Sequence, residues 1–130
     1  MAKILIVDDE PDVLEFQKAF LTRRKHEVVI AGNAREAIEV ATKELPEVVF
    51  CDVRIDSDRA GFEVLEAIKK IKPDAVVYLI TGLIDSDTEE QGLSMGAKEV
   101  LTKPLPNDVL EKKINEALSS LKEDFHVRPD

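Results

Sequence analysis

A doubly wound α/β sheet of five parallel strands is the fold class this sequence predicts. Two observations carry it: five short, largely β-branched apolar runs, and segments of helical spacing between them. Length sets a third bound, since 130 residues fit one domain and leave no room for two full-sized ones. The first run, Ile4–Val7, is too short for a helix and apolar throughout, which predicts a strand covered on both faces. Pro11 suits a first helical turn, and Val13, Phe16 and Phe20 recur at i, i+3 and i+7, giving the first helix its apolar stripe. Strand 2 is Val28–Ala31. Asn33 and Glu36 stand as cap and capping-box partner for a second helix with Ala34, Ala37, Ile38, Ala41 and Leu45 on one face. Strand 3 is Val48–Cys51, and after Gly61 the residues Val64, Leu65, Ile68 and Ile71 mark helix 3. Strand 4 is Ala75–Ile80. Ser86–Met95 has few apolar positions and contains Gly92, which costs about 1 kcal/mol against Ala, so a weak and mobile helix 4 is expected. Val100–Leu101 is strand 5, and Leu110, Ile114, Ala117, Leu118 and Leu121 after Asn107 form the last stripe. Residues 123–130 lose the period and are expected to form a tail or the start of a linker beyond a domain of residues 1–122.

Composition narrows the function. Apolar residues make up 44%, enough for a core, so wholesale disorder is excluded. The formal charge of −9 repels phosphate backbones, so direct nucleic-acid contact by this domain is not expected. The one cysteine, Cys51, forms no internal disulfide and sits mid-strand, where a packing thiol is the simplest reading. Tyr78 in strand 4 is expected in the core, and Arg23-Arg24-Lys25 closes the first helix where positive charge suits the dipole. The acidic run Asp85–Glu90 suits the opposite end of helix 4. His26 and His126 are too isolated for a metal site. No secretory signal or membrane span is evident, and a cytoplasmic location is expected.

Ligands of a doubly wound sheet bind outside the carboxyl ends of its strands. Those ends carry Asp8, Asp9 and Glu10 after strand 1, Asp52 after strand 3, Thr81 and Gly82 after strand 4, and Lys103 and Pro104 after strand 5. Any one of them alone is most simply a turn or cap residue. Together they gather carboxylates, a hydroxyl and an ammonium on one rim. Crowded carboxylates call for a cation, and Mg²⁺ suits one or two carboxylates plus water and a phosphate oxygen. A strand-held Asp52 beside a metal can attack phosphorus to give an aspartyl phosphate. Lys103 and Thr81 could then stabilise phosphoryl oxygens, and Gly82 would leave room for the group.

Ile4-Leu-Ile-Val-Asp-Asp-Glu10, Val49-Phe-Cys-Asp52, Ile80-Thr-Gly82, Gly96-Ala97 and Lys103-Pro104 resemble the receiver domain of two-component response regulators, from about Lys3 to Leu121. The resemblance implies strand order 2-1-3-4-5, a flavodoxin-like three-layer sandwich. It implies that Asp52 accepts a phosphoryl group from a sensor histidine kinase or phosphotransfer protein, with Mg²⁺ or Mn²⁺ as cofactor. It further implies that Asp9, Asp52 and the backbone carbonyl of Arg54 hold the metal, Asp8 acting largely through water, and that Thr81 and Lys103 bind the phosphoryl oxygens. Such a domain is not an enzyme on external substrates; it catalyses only its own phosphorylation and dephosphorylation. The signal would leave through helix 4, strand 5 and helix 5 toward an unknown output partner, from a monomer or a phosphorylation-dependent homodimer.

The sequence departs from the family pattern in three places. The loop after Asp52 lacks the common Pro, and its Gly61 stands nine positions on instead of eight, which predicts a longer, more acidic loop. Val100 replaces the usual aromatic residue three positions before Lys103, so coupling through that ring cannot operate in its usual form and helix 4 is the expected substitute. Arg54 and Leu83, two positions after Asp52 and Thr81, could crowd an attacking water and slow phosphoryl loss. Two rivals are disfavoured by single residues. An Asp-nucleophile phosphatase needs a second acid where Arg54 stands, and a flavin site would put its phosphate against Asp8-Asp9-Glu10. The remaining alternative is a non-phosphorylated receiver-like docking module.

Overall fold

A computed structural model describes residues 2–127, with side chains described for residues 2–121. Strands and helices alternate: β1 Lys3–Val7, α1 Pro11–Arg23, β2 Glu27–Ala31, α2 Ala34–Glu44, β3 Val48–Asp52, α3 Ala60–Ile71, β4 Val76–Thr81, α4 Ser86–Ser94, β5 Glu99–Thr102 and α5 Asn107–Val127. The strands pair in parallel in the order β2-β1-β3-β4-β5. Each strand run is apolar at every position because alternate residues enter two cores. Ile4, Ile6, Phe50, Tyr78 and Ile80 pack with Leu14 and Leu21 of α1 and Leu110, Ile114 and Ala117 of α5. Leu5, Val7, Val49, Cys51, Val77 and Leu79 pack on the other side with α2 and α3. Phe50 and Tyr78 stack with centroids 5.0 Å apart, and the Tyr78 hydroxyl donates to the Lys113 carbonyl at 3.0 Å, fixing α5 to the sheet.

Local signals place most helix ends. Asn33 Oδ1 accepts from the Glu36 amide at 2.8 Å, while the Glu36 carboxylate reaches back to the Gly32 amide at 2.6 Å, one residue beyond the standard box. The Asp85 side chain caps α4 by accepting from the Thr88 amide. Leu45 ends α2 in the left-handed region at φ 50, with its side chain exposed instead of continuing the stripe.

Two expectations are corrected, and α5 runs past its apolar stripe. In α1 the buried positions are Leu14, Gln17 and Leu21, one residue on from the expected stripe, and Phe16 is 66% exposed. Both sets have i, i+3, i+7 spacing; the set with two leucines faces the sheet, and Phe20 only borders that core. Gly92 is the buried residue of α4, and a Cβ there would stand 3.0 Å from Leu79 and 3.1 Å from Val100. Its role is close packing of α4 on the sheet, not loosening of the helix. Finally, α5 runs on to Val127, so residues 123–127 are helical; Lys122 and Glu123 are good helix formers that extend the backbone ladder past the apolar stripe. Residues 128–130 lie outside the described residues.

The α1 correction is open to a direct check. Leu14→Ala is expected to cost about 2–5 kcal/mol in urea unfolding, and Phe16→Ala to stay within about 0.5 kcal/mol of wild type. Equal losses would restore the expected stripe.

Candidate functional site

Four parallel strands end on one edge, and the ladder continues just past them. The Asp8 amide donates to the Ala31 carbonyl at 3.2 Å, the Val53 amide to the Ile80 carbonyl at 2.8 Å, and the Lys103 amide to the Thr81 carbonyl at 2.8 Å. The backbones of Asp8, Asp52, Thr81 and Lys103 are therefore set by the sheet. Asp8, Asp52 and Thr81 are buried, whereas Asp9 and Glu10 are exposed.

The long Lys103 side chain reaches across this edge. Its Nζ lies 2.6 Å from Asp52 Oδ2, 3.1 Å from Asp8 Oδ2 and 3.7 Å from Glu10 Oε1. The remaining carboxylate oxygens find backbone donors: Asp8 Oδ1 accepts from the Glu10 amide at 2.9 Å, and Asp52 Oδ1 from the Arg54 amide at 3.3 Å. Burial pushes the Asp52 carboxyl above its ordinary range; Lys103 offsets part of that, and the charge of Asp8 adds to it. Burial works to lower the Lys103 pKa, but its bonds to Asp52 and Asp8 and their charges outweigh it, so Lys103 stays protonated well past neutrality.

Other expected residues are placed less simply. The Thr81 hydroxyl faces the backbone of Leu83, 3.3 Å from its carbonyl and 3.4 Å from its amide. A Cβ on Gly82 would meet nothing within 4 Å, so the space above this edge is open. The Arg54 side chain is 77% exposed and Leu83 79% exposed. Both line the roughly 560 Å³ cavity around Asp52, Thr81 and Lys103. Burial pushes the Cys51 thiol up, consistent with a packing role. His26 lies between α1 and β2, with a buried Nδ1 that meets no partner among the described residues.

The β3–α3 loop is anchored from beneath. Val53 and Ile55 are buried in the α2–α3 core, and the Gly61 amide donates to the Val53 carbonyl at 2.8 Å. A Cβ on Gly61 would fall 2.5 Å from Val53 Cα and 2.6 Å from the Asp52 carbonyl oxygen. Gly61 thus lets α3 start directly against the backbone of Asp52.

Carboxylate oxygens of Asp8, Asp9 and Glu10 come within 4.8 Å of one another. This all-oxygen donor set, with buried Asp52 sharing the ammonium that holds Asp8, fits a hard divalent cation. Glu10 was placed on the rim by the sequence but not among the ligands; its position directly after Asp8-Asp9 was the available signal.

The family model of the response regulator receiver domain matches residues 4–115. Protein PilH of Pseudomonas aeruginosa is 33% identical over 121 residues, covering 92% of this chain and 99% of that protein. The transcriptional regulatory protein ZraR of Klebsiella oxytoca is 33% identical over 116 residues, covering 89% of this chain but 26% of its own length. This chain thus spans about a quarter of ZraR and of the Vibrio LuxO regulators. Among solved structures, a response regulator receiver domain protein from Clostridium thermocellum superposes with a TM-score of 0.85 at 33% identity, over 94% of this chain and 98% of that one. A CheY-like receiver domain protein from Methanospirillum hungatei gives 0.89 at 28% identity, over 95% and 98%.

The raised Asp52 carboxyl sets a sign for stability. A carboxyl whose folded pKa is raised stabilises the fold while protonated and loses that contribution as pH rises through the folded value. Asp52→Asn is therefore expected to unfold at higher urea than wild type at neutral pH without added divalent cation, since Lys103 keeps Asp8 and Glu10 as partners. The advantage should shrink as pH falls toward the ordinary aspartate value of about 3.9. A variant less stable than wild type at neutral pH would contradict the assigned direction.

Proposed function

The chain belongs to the response regulator receiver domain family of two-component systems, and from that premise we propose that Asp52 is its phosphoacceptor and that phosphorylation switches a protein-binding surface. One observation supports this above the others: a buried carboxylate at a strand end, on the wall of an open cavity, held by an ammonium that also holds Asp8. The donor is a phosphohistidine of a kinase or phosphotransfer protein. An Asp52 oxygen attacks phosphorus, the P–O bond forms as the P–N bond breaks, and the imidazole leaves with the electron pair and takes up a proton from solvent.

When bound, a Mg²⁺ or Mn²⁺ ion held by Asp8, Asp9 and Asp52, with the Arg54 carbonyl implied by the family, supplies positive charge for the transferring group. The chain's own residues do the rest. The sheet fixes the attacking carboxylate, which limits the orientations it must search. Lys103 offsets part of the burial that disfavours the Asp52 anion and is already protonated, so it can follow the new phosphoryl oxygens without a proton transfer. Thr81 needs only to release the Leu83 backbone to offer its hydroxyl to the same group. The chain turns over no external substrate in this scheme. The output face would be α4, β5 and α5, where Leu93 is 47% exposed on α4. No helix among the described residues is long and apolar enough to cross a membrane; we take the domain to act in the cytoplasm, alone or as part of a longer regulator.

Incubation with Mg²⁺ and acetyl phosphate, followed by intact mass, tests the proposal. Wild type should gain one phosphoryl group and Asp52→Ala none. Lys103→Ala should slow the gain by about 100-fold or more. No adduct with any donor would leave the docking-module alternative.

A further inference from the structure

The phosphoacceptor cavity contains a second kind of cation, whose charge is uncommitted. Arg59 stands at the end of the β3–α3 loop, immediately before α3, and lines the same cavity as Asp52, Thr81 and Lys103. Lys103 is shared among carboxylates, but Arg59 has no carboxylate within 4.0 Å among the described residues. Its guanidinium rests 4.8 Å from the centroid of the Phe62 ring and donates through Nη2 to Gln91 Oε1 on α4. Among the described residues this is the one hydrogen bond from an α4 side chain to another helix or its leading loop. The rest of the attachment of α4 is modest, since Gly92 is its buried residue.

The neighbourhood excludes the usual aromatic route. Position 100 is a valine, buried, with its Cγ2 only 3.1 Å from where a Cβ of Gly92 would stand. It is small and wedged, with no ring to swing. The path from Asp52 to Arg59 runs instead through the backbone contact made by Gly61. Gly61 abuts the Asp52 carbonyl and the Val53 Cα, so the start of α3 moves with the backbone of the phosphoacceptor.

We propose that Arg59 is a positioning residue that reads the charge on Asp52 and holds or releases α4 accordingly. This rests on Asp52 being the phosphoacceptor. Phosphorylation replaces a single carboxylate charge with about two and adds strong acceptor oxygens in the cavity Arg59 lines. A guanidinium bound to a neutral amide exchanges that partner for a phosphoryl group, because the charge-assisted bond is about twice as strong. Gln91 is then freed, and α4, with few buried contacts, opens more readily. Lys103 carries the chemistry and Arg59 carries the message.

Hydrogen exchange of the α4 amides, with and without Mg²⁺ and beryllofluoride as phosphoryl mimic, tests this on the full chain. In wild type the mimic should speed exchange over Ser86–Ser94 by about 5-fold or more, the lower end of ordinary coupling between sites. In Arg59→Gln and in Gln91→Ala, α4 should exchange fast already and change little on addition, while both variants keep the wild-type urea midpoint. Arg59→Lys, which keeps the charge and loses the fork, should restore part of the response. Asp52→Asn should abolish it. A normal response in Arg59→Gln or Gln91→Ala, or an α4 indifferent to the mimic in a wild type that forms the acetyl phosphate adduct, overturns the role of Arg59 alone. Absence of any adduct overturns the Asp52 assignment, and this proposal with it.

Discussion

Lys103 holds its ammonium 2.6 Å from Asp52 and 3.1 Å from Asp8, two carboxylates that are almost wholly buried. Removing like charges from water side by side is costly unless a counter-charge stands between them. One lysine does not balance two buried acids and an exposed third, Glu10, at 3.7 Å. Burial holds the Asp52 carboxyl above its ordinary range despite the ammonium beside it, and the charge of Asp8 adds to the effect. An edge with this imbalance attracts a cation and keeps an acid that is reluctant to ionise but fixed in place. A bound cation would favour the anion that the proposed transfer requires, and the sheet already fixes where that anion stands.

The sheet makes this arrangement possible at all. β1 and β3 are neighbours, with Val7 opposite Cys51, so the residues that follow them emerge side by side. β4 lies between Asp52 and Lys103, with Asp52 opposite Ile80 and Thr81 opposite Thr102. A slip of one residue would send each end residue to the other face. Burial on both faces prevents that slip, because Ile4, Ile6, Phe50 and Tyr78 serve one core and Leu5, Val49 and Leu79 the other.

That double burial is also why the sequence was informative. Unbroken, largely β-branched runs such as Ile4–Val7, too short for helices, point to covered strands, and their ends then point out Asp8, Asp52, Thr81 and Lys103. Helix faces were less legible. In α1 two stripes share the same spacing, and the buried one carries Gln17, which hydrophobicity counts against it. Gly92 looked like a weak point because a propensity scale prices backbone freedom, not the 3.0 Å approach to Leu79 that a missing side chain permits. Gly61 gave its position but not its purpose. Arg59 is hidden for a different reason: its contacts depend on how a loop and a long side chain fold back, and no period records that.

Gly92 and Arg59 together describe how α4 can be both fitted and releasable. The close approach at Gly92 gives α4 one well-defined seat over Leu79 and Val100, so its resting position is specific. The area buried there is small, however, and Gly92 contributes no side chain to it. An exposed hydrogen bond such as Arg59–Gln91 contributes little to global stability. It weighs more on a helix with one buried residue, because local and global stability differ. A helix held by a deep apolar face, as α3 is by Phe62, Val64, Leu65 and Ile68, would not notice the loss of one such bond. The sparse apolar content of α4 therefore suits the proposed switching, since a lightly held element can be moved by the charge of a single added group.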